Sequence, residues 1–395
     1  MKTRSPRPLM LGVLLVTFVG LPVVGFADNN PPGLGGMKLQ ALQELHEAGM
    51  DKYIGQFQPA VSVPAGDWEK HTFDTDGGNG PTCIDGSPVT MFTKERDPDK
   101  VVFFLNGGGA CWQDFYFCTL QSSQNPPNES GIFADSFDTG SEIIDNPFAD
   151  WSIMWVSQCD GSTYTGDNDV EDANPAWEAI SGTTTRRHRG HRNLTAALDL
   201  AADIWPTPKK LLLTGSSAGG AAVQANAPFI ARFLWPPSTQ LYALDDGGPP
   251  PQNPADPDIA VRASDWEQDK LYPESCEDCD IFGQPATALI NWRHENDNSV
   301  REALYSTDGD FSIRFFLGFL SHQAFRDLLL FVTDPIVEDH GKRYKRFIPH
   351  GTSHTLLRGD RFYTAEANGV PFTQWAEDFV NHHPGWVDIV EDFTP

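Results

Sequence analysis

The chain has 395 residues, with 28 Lys and Arg against 54 Asp and Glu, and a formal net charge of -26. That balance repels the phosphate backbone of DNA or RNA and argues against a nucleic-acid partner. A mean hydropathy of -0.37 with one long apolar run argues against a multispan membrane protein, and 11% aromatic residues argue against a disordered chain.

The apolar run lies at the N-terminus. Lys2, Arg4 and Arg7 precede an apolar stretch at 9–24, and Gly25, Phe26 and Ala27 follow it. A basic start, an apolar core and small residues at the cleavage point predict a cleavable secretory signal over residues 1–27. The mature chain, 28–395, is then expected to be secreted or periplasmic, without stable membrane insertion. Six cysteines behind an export signal predict disulfides rather than a metal site: Cys83, Cys111, Cys118, Cys159, Cys276 and Cys279. Local bridges 111–118 and 276–279 would leave Cys83 with Cys159, although six cysteines allow 15 pairings.

Beyond the signal the chain turns helical near residue 45. Alternation and turn signals over 72–93 predict a β-hairpin. The continuous apolar run at 101–105 predicts a strand buried on both faces, as in a parallel sheet, and 151–156, 211–213 and 241–244 are further strand candidates. Leu194, Ala197, Leu198, Ala201 and Trp205 have helical spacing, and Pro206 and Pro208 end that helix. A further helix is expected over 218–233. Residues 249–292 are rich in Pro, Asp and Glu and predict an irregular polar insertion. A strand at 301–307, an apolar helix at 312–331 and a last strand at 343–348 complete the pattern. Strands alternating with helices predict one α/β domain with a mainly parallel, doubly wound sheet and the insertion before its penultimate strand.

Gly215, Ser217 and Gly219 form G-x-S-x-G between a buried strand and a helix, the context of a nucleophile elbow. Ser217 is the candidate nucleophile. Acyl transfer also needs donors for an oxyanion. The loop Gly107, Gly108, Gly109 after the strand at 101–105 offers Gly108 or Gly109, and the residue after the nucleophile offers Ala218. No Lys-Ser/Thr pair follows the glycines, so a phosphate loop is disfavoured. A bridge between Cys111 and Cys118 would pin this loop. The base should follow the last strand, where His354 is preferred over His350. His188, His191 and His322 lie upstream and read as structural or solvent-facing. Asp308 and Asp310, after the strand at 301–307, and Asp246, after the strand before it, are the candidate acids.

Three stretches together resemble the pectinacetylesterase/Notum family of secreted serine hydrolases: Thr82 to Pro88, Leu105 to Trp112, and Gly215 to Gly220. Val156 to Asp160 with Gly166 and Asp167, Arg189 to Asn193, and Gly351 to His354 support the likeness, and residues 369–375 resemble its bacterial branch. The resemblance implies an α/β-hydrolase fold with a Ser217, Asp310, His354 triad and an oxyanion hole at Gly108, Gly109 and Ala218. Plant members follow the acid with a Trp-Gln pair, whereas in this chain Phe311 and Ser312 follow Asp310. Plant members deacetylate pectin, and the animal member removes a fatty acyl group from a signalling protein.

The expected function is therefore a secreted, monomeric carboxylesterase that needs no cofactor or metal and acts on an acyl, most simply acetyl, ester such as that of an acetylated polysaccharide. A long-chain deacylase of the same fold and a non-catalytic binding module are the rivals. Asp167, Asp169, Glu171 and Asp172 lack EF-hand spacing and read as a solvated acidic loop rather than a Ca²⁺ site.

Overall fold

The computed structural model describes residues 36–75, 78–248, 256–279 and 287–393. The N-terminal signal expectation lies outside the described residues, as does part of the expected insertion. Among the described residues no helix is long and apolar enough to cross a membrane.

Ten strands form one sheet: β1 Val61–Ala65, β2 Trp68–Phe73, β3 Val89–Lys94, β4 Asp97–Leu105, β5 Trp151–Val156, β6 Lys210–Ser216, β7 Gln240–Asp246, β8 Arg301–Tyr305, β9 Tyr344–Ile348 and β10 Ile389–Val390. Their spatial order is β1-β2-β3-β5-β4-β6-β7-β8-β9-β10. The first three form an antiparallel meander, which joins β5 antiparallel. From β5 to β10 every neighbouring pair is parallel. This is the α/β-hydrolase architecture, a mainly parallel sheet with helices on both faces.

Alternate side chains of each central strand enter different cores. Val101, Phe103, Leu105, Leu211 and Leu213 pack with the helices Gly190–Ile204 and Ala227–Leu234. Val102, Phe104 and Leu212 pack on the other face with Phe372, Trp375 and Phe379 of the helix Phe372–Asn381. A strand covered on both faces must be apolar at successive positions, which is why these segments read as continuous runs.

The winding direction reverses between β4 and β6, so the loops leaving their C-terminal ends diverge around a crevice. Because the central strands are parallel, the ends of β4, β6, β7, β8 and β9 share that edge of the sheet.

Four expectations need correction. The helix expected at 218–233 is two, Ala218–Gln224 and Ala227–Leu234. The chain breaks at Ala225 and Asn226, and Pro228, which lacks an N–H to donate, sits in the first turn of the second helix. The helix expected at 312–331 is also two, Phe311–Phe316 and His322–His340. Gly318 (φ 81°) and Phe319 (φ 60°) are left-handed and end the first. The expected insertion is not irregular throughout. The helix Ile259–Trp266 and the helix Thr287–Asn296 lie in or overlap it, and their Ile259, Ala263, Trp266, Ile290 and Trp292 are buried. Apolar anchoring outweighs the acidic composition there. Finally, β9 is not the last strand, because β10 pairs beyond it.

Candidate active site

Ser217 directly follows β6 and precedes the helix Ala218–Gln224, with φ 57° and ψ -120°. A non-glycine residue in such a conformation costs about 1–3 kcal/mol, and the surroundings must over-determine it. They do so by close approach. A Cβ on Gly219 would lie 2.0 Å from the Leu105 carbonyl oxygen, and one on Gly215 would lie 2.7 Å from the same atom. Ser217 itself remains half-buried, whereas Ser216 before it and Ala218 after it are buried.

The glycine loop lies against this turn. A Cβ on Gly107 would stand 2.6 Å from the Ser216 carbonyl oxygen and 2.9 Å from Ser217 Cβ. Gly109 opens a hairpin, Gly109–Trp112 paired with Phe115–Cys118, and the disulfide Cys111–Cys118 closes it. The other bridges are Cys83–Cys159 and Cys276–Cys279. The loop is also held from behind. Thr119 N–H donates to the Gly108 carbonyl (2.7 Å), Gln158 Nε2 to the Gly109 carbonyl (2.9 Å) and the Tyr164 hydroxyl to the Asn106 carbonyl (2.9 Å). Ala218 is the first residue of its helix, so its N–H has no intrahelical acceptor.

The loops after β8 and β9 are laced together. Asp308 N–H donates to the Pro349 carbonyl, Gly309 N–H to Gly351, Phe311 N–H to Thr352 and the Thr307 hydroxyl to Ser353. This brings His354 Nδ1 to 2.7 Å from Asp310 Oδ2. Asp310 Oδ1 meanwhile accepts from Ile313 N–H (3.0 Å) and caps the helix Phe311–Phe316. Asp310 is fully buried, while the His354 side chain is 22% exposed. Gly247, after β7, places a would-be Cβ 3.6 Å from both Asp310 Oδ2 and His354 Cε1.

The two other candidate acids face different partners. Asp308 accepts from His322 Nε2 (2.8 Å), His350 Nδ1 (3.0 Å), Arg326 Nη1 (2.8 Å) and Gly351 N–H (2.9 Å). Burial works to raise its pKa, but these partners outweigh it and hold the carboxyl below its ordinary value. His350, the alternative base, is thereby committed to Asp308. Asp308, His322 and His350 have the composition of a metal site. The Arg326 guanidinium occupies the same carboxylate, however, and opposes a cation there. Asp246 accepts from Ser216 Oγ and from two backbone amides after His354.

His188 and His191 are fully buried, and burial pushes their pKa values down to about 3 and about 4. The acidic loop is ion-paired rather than solvated: Asp167 meets Lys52 and Arg192, Asp169 meets Arg189, and Asp172 meets Arg186. No sequence pattern marks Gln158 or Tyr164 as supports of the glycine loop, although Gln158 lies in the stretch Val156 to Asp160 that carries the family likeness.

Residues 67–249, which include the glycine loop and Ser217, match the family model for pectinacetylesterase. Over this segment the chain is similar to the pectinacetylesterases and to Notum. It is 29% identical over 179 residues to pectin acetylesterase 11 of Arabidopsis thaliana, covering 43% of this chain and 42% of that protein. Pectin acetylesterase 7 of the same plant is 30% identical, again with 43% and 42% covered. Palmitoleoyl-protein carboxylesterase NOTUM of Mus musculus is 29% identical over 184 residues, with 42% of this chain and 33% of that one covered. The chain thus spans less than half the length of these relatives. Asp310 and His354 lie outside the segment matched by the family model.

Proposed function

We propose that this protein is a secreted, monomeric serine carboxylesterase that hydrolyses an acyl ester, most simply the acetyl ester of a polysaccharide. The observation that carries this reading is the 2.7 Å contact of His354 Nδ1 with Asp310 Oδ2 beside the strained Ser217 turn.

With Nδ1–H directed at Asp310, His354 keeps Nε2 as its basic nitrogen. It takes the Ser217 proton as Ser217 Oγ attacks the ester carbonyl. The amides of Ala218 and of Gly108 or Gly109 stabilise the tetrahedral oxyanion. His354 then protonates the leaving alcohol. Water, deprotonated by His354, cleaves the acyl-enzyme. Asp310 holds the imidazole and stabilises its cationic form throughout.

The relatives' names point to an acetyl group on pectin in one case and a palmitoleoyl group on a protein in the other. One feature favours a longer or aromatic acyl group. Phe117 (59% exposed), Phe311 (63%) and Phe319 (71%) lie on the glycine-loop hairpin and on the segment following Asp310. The Phe117 and Phe315 rings meet at 5.1 Å, as do those of Phe315 and Phe319. The acetyl reading retains first place because the plant relatives carry it.

The test is a C2 to C16 p-nitrophenyl ester series beside acetylated pectin and xylan, with Ser217→Ala as control. Loss of turnover in the variant and preference for C2 are expected. Wild-type activity in Ser217→Ala would sink the serine mechanism. A C8 to C16 optimum would transfer the assignment to a long-chain deacylase.

A further inference from the structure

We propose that Asp246 is a positioning residue that holds the Ser217 turn and the His354 loop in register, an inference that rests on the esterase reading above. Asp246 ends β7 and is fully buried. Its backbone carbonyl accepts the Ser217 N–H at 2.8 Å. Its Oδ2 accepts the Ser216 hydroxyl at 2.6 Å. The same carboxylate accepts Leu356 N–H at Oδ1 (2.9 Å) and Leu357 N–H at Oδ2 (3.1 Å). One side chain therefore joins the residue before the nucleophile to residues two and three places beyond the base.

The alternative is a buried Asp that merely satisfies nearby amides. Two features separate the roles. First, both tied segments carry reacting groups, and among the described residues no other side chain bonds both. Second, an amide cannot replace this carboxylate. Three donors converge on its two oxygens. Asn offers one oxygen, and its NH₂ then faces a donor wherever it turns. Even if Ser216 reverses its hydroxyl, one backbone N–H of the His354 loop loses its acceptor.

Burial raises the Asp246 carboxyl pKa above its ordinary value, while Ser216, Leu357 and Leu356 oppose that rise. Its charge acts on His354, and also on Arg358, Tyr305 and Asp245.

The experiment compares Asp246→Asn and Ser216→Ala with wild type and Ser217→Ala, on p-nitrophenyl acetate and with a fluorophosphonate label. A small displacement of reacting groups costs about 100-fold, so Asp246→Asn should lose about that factor in kcat and in labelling rate. KM should change by less than about threefold. Ser216→Ala keeps both loop bonds and should show a smaller loss of the same kind. An Asp246→Asn enzyme with unchanged kcat and labelling rate, or with the loss confined to KM, overturns the proposal. If that variant does not fold, unchanged kcat in folded Ser216→Ala overturns it instead. Full activity in Ser217→Ala would defeat the esterase reading itself, a separately visible result.

Discussion

His354 Nδ1 and Asp310 Oδ2 lie 2.7 Å apart, while Asp308, two residues before Asp310, turns to His322, His350 and Arg326. Two carboxylates on one short loop thus take separate histidines. The division follows from how the loops after β8 and β9 are laced by backbone bonds. Asp310 faces the imidazole beside the Ser217 edge, and Asp308 faces the helix His322–His340.

This division predicts opposite phenotypes for two neighbouring changes. Asp310→Asn should cost about 10⁴ in kcat, because the imidazole loses its anionic partner. Asp308→Ala should instead lower stability by about 3–5 kcal/mol, because the buried Arg326 guanidinium loses its carboxylate and keeps only the Glu391 carbonyl. Steady-state kinetics and urea melts on both variants check this. Comparable kinetic losses without a stability difference would remove the distinction.

Gly107 should tolerate no side chain. A Cβ there would meet the Ser216 carbonyl at 2.6 Å and Ser217 Cβ at 2.9 Å, so Gly107→Ala must displace the turn or the glycine loop proposed to supply the oxyanion donor. Misplacing one oxyanion donor costs about 10²–10³ in kcat. Gly140, with nothing within 4 Å, is the control, although its φ of 83° gives Gly140→Ala a small local strain. Equal kcat for the two variants would contradict the close approach.

The exposed phenylalanines should govern chain-length preference rather than chemistry. Burying one such side chain contributes about 1.5–3 kcal/mol. Phe117→Ala should therefore lower kcat/KM on p-nitrophenyl octanoate by roughly tenfold or more while sparing the acetate. A uniform loss across the ester series would place Phe117 in the general scaffold instead.

Asp199 supplies a pH-dependent stability effect. It lies buried in the helix Gly190–Ile204 and accepts the Gly55 N–H at 2.6 Å. Burial, aided by the Asp203 charge and opposed by the Gly55 N–H, pushes its pKa from 3.8 up to about 6. The folded state thus binds more protons than the unfolded state between those values, and stability falls as pH rises through that window. Above it the full cost stands, on the order of 2–3 kcal/mol. Asp199→Asn should raise the melting temperature at pH 7 and leave it nearly unchanged near pH 4. A gain of equal size at both pH values would contradict an origin in the Asp199 charge.

The sequence by itself determined the sheet and two of the site's elements. Residues 101–105, 153–156 and 211–213 are apolar at every position because both faces are covered, and that constraint is local. Gly215, Ser217 and Gly219 show a sharp turn because only glycine admits the Leu105 carbonyl so closely. The glycine loop is legible for a similar reason. Tertiary structure alone decided which acid meets which histidine. Asp246 ends one parallel strand and Asp308 and Asp310 follow the next, all at one edge, and their partners depend on contacts between loops far apart in sequence. The break at Gly318 likewise escaped the apolar pattern, which continues across it. A hydrophobic period records which face is buried, whereas hydrogen bonds between distant loops leave no local period to read.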